Sequence, residues 1–99
     1  MQTSEMTVGA YSDYSCNISQ EARDVFTTAL AVLTGVSYTP FAVATQLVSG
    51  TNYSFLCNSK TVYPGATNQV AIVNIYQPLE GDPHITEIRR FEPYAVSVA

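Results

Sequence analysis

The sequence predicts an α+β domain in which one helix packs across an antiparallel sheet of four to five strands. Two observations carry this. Apolar residues recur every three to four positions in one stretch, between Ile18 and Leu33, which is the period of a single helix face. After Gly35 the period changes to two, through runs separated by turn residues, which is the period of half-buried strands. A lone helix cannot bury its apolar face by itself, so it must lie on the apolar face of the sheet.

The elements follow in order. Residues 1–16 show no period and include Gly9, Tyr11 and Tyr14; they read as an extended N-terminal arm or edge strand. The helix starts near Asn17. Asn17 and Ser19 are both suitable N-caps, and Gln20 stands three places after Asn17 as in a capping box. Glu21 in the first turn suits the positive end of the helix dipole. Ile18, Ala22, Val25, Phe26, Ala29, Leu30 and Leu33 form one face, and Gly35 is placed as the stop, which gives a helix of four to five turns.

The first strand starts at Pro40, where a missing N–H is tolerable, with Phe41, Val43, Thr45 and Leu47 alternating with Ala42, Ala44, Gln46 and Val48. Gly50-Thr51-Asn52 breaks the pattern. A second strand sets Tyr53, Phe55 and Cys57 on one face and Ser54, Leu56 and Asn58 on the other. A turn spans Tyr63 to Asn68, and a β-branched third strand runs from Gln69 to Gln77. The loop Pro78 to Pro83 leads into a fourth strand, His84 to Phe91, closed by Pro93. No linker or repeat divides the chain, so residues 1–99 read as a single domain.

Composition narrows the function. Four basic residues stand against eight acidic ones, for a net charge of −4, too few to neutralise a phosphate backbone or anchor on an anionic membrane. No run reaches the apolar length of a membrane span. The first ten residues lack the apolar stretch of a secretion signal, which favours a cytoplasmic chain or one whose leader has been removed. No Cys-x-x-Cys pair or Cys/His cluster is present, so no metal or cofactor is expected. Cys16 and Cys57 either form one disulfide or are two buried free thiols. His84 is the single histidine. Neither cysteine has an evident activating partner, and Cys57 alternates onto the packed face, so the chain does not read as an enzyme. Asn17-Ile18-Ser19 and Asn52-Tyr53-Ser54 match the short glycosylation pattern and are read as coincidence.

The segment Gln46-Leu47-Val48-Ser49-Gly50, continued by Thr51-Asn52-Tyr53, resembles the Gln-x-Val-x-Gly motif of the cystatin family. Gly9 in an arm before the helix, the helix before the motif, and a loop between the last two strands agree in order. The resemblance covers roughly residues 8 to 92. It implies a cystatin-like fold and reversible, non-covalent inhibition of papain-like cysteine proteases. By resemblance the arm at Val8 and Gly9, the hairpin Gln46 to Gly50, and the loop at Pro78-Leu79 form a wedge-shaped edge that fills the substrate cleft. The chain has no tryptophan, whereas the family's second hairpin often carries Pro-Trp. Pro78-Leu79 and the lack of paired C-terminal cysteines look more like the stefin branch. The other reading is a non-inhibitory binding or structural module on the same scaffold, since fold does not fix function. The two differ at the tip: an inhibitor must expose Leu47, Val48 and Ser49, and a structural module would cover them. The chain is expected to be a monomer, and two long strands joined by a tight turn also permit a domain-swapped dimer.

Overall fold

The computed structural model describes residues 10–61 and 68–90. Among the described residues one helix, α1 (Gln20–Leu30), is followed by four strands, β1 (Val36–Val48), β2 (Gly50–Thr61), β3 (Gln69–Gln77) and β4 (His84–Arg90). The strands pair antiparallel in sequence order, β1-β2-β3-β4. This is the expected α+β arrangement, one helix against an antiparallel sheet, and it is consistent with a cystatin-like fold.

The helix is shorter than its sequence pattern. Ser19, not Asn17, is the N-cap, and its hydroxyl accepts from the Ala22 N–H at 3.1 Å. Gln20 does not close a capping box; its amide donates to Asp24 one turn on. Ala22, Val25, Phe26 and Ala29 are the buried face. The last turn tightens as the Leu33 N–H reaches the Leu30 carbonyl, and Val32 is 80% exposed. The reason is the width of the sheet. The helix start lies by Val43 and Tyr53, and its end lies by Ile85 and Ile88, so α1 crosses all four strands. Three gaps of about 4.8 Å make a platform of about 14 Å. Three helical turns, about 16 Å, already span it. Gly35, at φ 87°, serves the connection into β1 and is not the helix stop.

β1 also departs from expectation. It begins at Val36 and carries Pro40 inside it. The pairing with β2 slips between Pro40 and Ala42, which leaves Phe41 unpaired and exposed. Beyond this bulge the faces are set. Val43 opposes Phe55 and Thr45 opposes Tyr53 toward the helix, while Ala44 opposes Ser54 on the other face. Pro40 is tolerated because β1 is one of the two outer strands of the four and the bulge interrupts its ladder.

The core is centred on β2 and β3. Phe55, Cys57, Val73 and Ile75 are the largest fully buried side chains. The Phe55 ring meets Phe26 edge-on at 4.8 Å and stacks on Tyr53 at 5.9 Å. Residues 10–16 of the arm lie along the outer edge of β1. Tyr11 bridges to Gln46, and Ser15 bridges to Val43 through two N–H···O bonds of 2.9 Å. Tyr14 reaches across β1 to Ser54 on β2, oxygen to oxygen 2.6 Å. The turn from 62 to 67, the tail from 91 to 99, and Val8 and Gly9 lie outside the described residues.

Candidate functional site

Register brings the arm, the first hairpin and the second loop to one end of the sheet. β1 and β2 meet at the tip, where Leu47 opposes Thr51 and Val48 opposes Gly50, with Ser49 between them. The reversal therefore comes earlier than Gly50-Thr51-Asn52; Gly50 already belongs to β2. Thr51 opposes Gln77 on β3, so Gly50 stands beside Pro78 at the head of the second loop. On the other flank Tyr11 lies against Gln46. The arm runs antiparallel to β1, so Ala10 heads toward the tip.

The tip is apolar and open. Leu47 is 46% exposed, Val48 is 42% exposed, and Leu79 in the neighbouring loop is 79% exposed. Val48 is thus not a core residue at a strand end. Three exposed apolar side chains thus stand at this end of the sheet.

The tip is also braced. Asn52 donates to the Gln46 side-chain oxygen at 2.7 Å, a bond between directly opposed residues. The Tyr76 hydroxyl, from β3, donates to the Ser49 carbonyl. Gly50 has φ 102°, a conformation that favours glycine. A Cβ there would stand 2.5 Å from the Gln77 carbonyl oxygen, 2.9 Å from the Tyr76 hydroxyl and 3.1 Å from Pro78 Cα. Glycine is required by close approach as well as by backbone angle. The second loop is tied down by Gln77, whose amide donates to the carbonyls of Pro78 and Gly81, both at 2.9 Å. At the arm, the Ser12 N–H donates to the Thr45 carbonyl at 2.8 Å, and the Thr45 N–H donates back to the Ser12 hydroxyl at 3.0 Å.

Of the residues singled out in the sequence, Gln46, Leu47, Val48, Ser49, Gly50, Pro78 and Leu79 share this end. Val8 and Gly9 lie outside the described residues. Sequence reasoning missed Tyr76, Gln77, Ser12 and Asn52 as supports. Tyr76 carried a faint signal: it alternates away from buried Ile75 and sits two residues before the loop proline.

The disulfide left open by the sequence does not form. Both cysteines are free, Cys16 exposed and Cys57 fully buried, so only one of the two is a buried thiol. Cys57 sits among the core aromatics, and burial pushes its thiol up to about 12. His84 packs against the Tyr76 ring at 5.7 Å. Asn52 of the second glycosylation pattern is half-buried and bonded to Gln46. Among the described residues there is no group of three or more His, Cys, Asp or Glu that could hold a metal, and no helix long and apolar enough to cross a membrane. The chain matches no protein-family model and no curated protein.

Proposed function

We propose that this chain is a reversible, non-covalent inhibitor of papain-like cysteine proteases that inserts its braced sheet end into the substrate cleft. The observation that carries the reading is the exposure of Leu47 and Val48 on a tip held from both sides, with Leu79 beside it. Fully burying a Val or Leu side chain is worth about 1.5–3 kcal/mol. Scaled by the exposure of these three residues, docking would gain about 4 kcal/mol, roughly a thousandfold in affinity. The bracing reduces the entropy lost when the tip docks. No covalent step is needed, so the inhibitor requires no reactive group of its own. Leu79 offers less contact than an aromatic side chain would, so the first hairpin carries the larger share.

The test is a titration of papain with the purified chain. Competitive inhibition at submicromolar concentration, with the chain recovered uncleaved, is the expected result. Activity untouched at micromolar concentration would sink the reading and leave the binding or structural module in its place.

A further inference from the structure

Tyr76 lies outside the three segments that the proposed edge presents, yet it joins them. Its hydroxyl donates to the Ser49 carbonyl at the tip of the first hairpin. Its ring packs against His84 at the start of β4. Its strand leads directly into Pro78 and Leu79. The β2–β3 ladder ends at Thr51 and Gln77, so Val48, Ser49 and Gly50 project past the last paired residue of β3. Here the anchoring group comes from the third strand. Gly50 is part of the same device: a Cβ at that position would crowd the Tyr76 hydroxyl at 2.9 Å.

We propose that Tyr76 is the positioning residue of the edge, a latch from β3 that holds Leu47, Val48 and Ser49 in their docking geometry. The role rests on the inhibitor reading for its effect on binding, but the latch itself is a property of the free chain. Removing one hydroxyl leaves the ring contact with His84 in place, so Tyr76→Phe loosens the tip without disturbing the core.

Two measurements on the full chain test this. The first is amide hydrogen exchange at Ser49, Gly50 and Thr51 in wild type and Tyr76→Phe. The second is a double-mutant cycle against papain with Tyr76→Phe, Val48→Ala and Leu79→Ala. Exchange at the tip is expected to speed up by about five- to tenfold, the equivalent of one net hydrogen bond. Binding is expected to weaken by a similar factor, through faster dissociation. Val48→Ala should cost less affinity in the Tyr76→Phe background than in wild type, because a loosened tip already docks poorly. Leu79→Ala should cost the same in both backgrounds, which a general loss of stability would not produce. Unchanged exchange at the tip overturns the latch. Faster exchange with unchanged affinity overturns the positioning role. If wild type fails to inhibit papain, the inhibitor reading falls, and the exchange comparison alone decides whether the latch exists.

Discussion

Gly50 and Gly35 form a natural control pair. Both have positive φ, 102° and 87°. A Cβ at Gly35 meets nothing within 4 Å, whereas at Gly50 it meets the Gln77 carbonyl oxygen at 2.5 Å. Alanine at a positive φ costs about 1–2 kcal/mol, of which roughly 0.4–1 kcal/mol is offset because alanine stiffens the unfolded chain. Gly35→Ala should therefore destabilise by about 1 kcal/mol. Gly50→Ala carries the same term plus a backbone displacement, since the nearest atom belongs to the neighbouring strand. Overpacking of this kind adds about 1–3 kcal/mol, for a total of about 2–4 kcal/mol. Urea unfolding followed by circular dichroism measures both. With a slope of about 1–3 kcal/mol per molar urea, the Gly50→Ala midpoint should fall by roughly 1–2 M, and the Gly35→Ala midpoint by about half a molar or less. Equal shifts for the two variants would refute the close-approach argument and leave backbone angle as the whole role of Gly50.

Further outcomes follow from the core, the tip and the thiols. Phe55→Ala removes a fully buried ring that touches two others; it should cost about 3–5 kcal/mol and lower the melting temperature by more than about 10 °C, read by calorimetry. Val48→Asp changes an exposed side chain; thermal stability should stay within about 0.5 kcal/mol of wild type while papain inhibition weakens by at least about tenfold, and a melting shift as large as that of Phe55→Ala would place Val48 in the core instead. Thiol labelling at pH 8 should modify Cys16 alone in the native chain and both cysteines in urea, as mass spectrometry will resolve, because Cys57 is buried and kept protonated. Burial raises the Cys57 thiol from 9.0 to about 12, and it also raises the Tyr11 and Tyr53 hydroxyls, with smaller contributions from Tyr14 and Glu21 respectively. Above pH 9 the unfolded chain therefore gives up protons that the folded chain keeps, so stability should be full below pH 9 and fall steadily toward pH 12; denaturant midpoints across that range that do not move would contradict the burial of Cys57.

The parts of the fold legible in the sequence are those where one periodicity has one cause. β3 was readable from Gln69 to Gln77 because buried Ala71, Val73 and Ile75 alternate without a flaw. The face of β2 that carries Tyr53, Phe55 and Cys57 was readable for the same reason. The helix end was not, because Leu33 continues the apolar period after the sheet has run out of width, and the limit lies in the partner and not in the helix. The start of β1 was hidden by Pro40, which is a plausible strand start until the bulge at Phe41 is seen. At the edge, the resemblance of Gln46 to Gly50 to a known motif pointed to the tip residues; the exposure of Leu47 and Val48 became visible only in the structure. Their supports did not stand out. Tyr76 and Gln77 lie more than 25 residues from the tip, and their roles depend on the register of β2 with β3.

The arm on the outer edge of β1 has a consequence for solution behaviour. A thirteen-residue outer strand offers a long row of backbone donors and acceptors, a ready template for another chain. Tyr11, Ser12 and Ser15 occupy part of that row, and the bulge at Phe41 disrupts another part. The opposite border needs no such cover: Thr86 falls at a register slip in β4, between charged Glu87 and the loop. A protease that nicked the chain after Cys16 would release Tyr11, Ser12 and Ser15 from that row. It would strip the guard from one border of the sheet and leave a long free edge, on which self-association should rise with concentration and time.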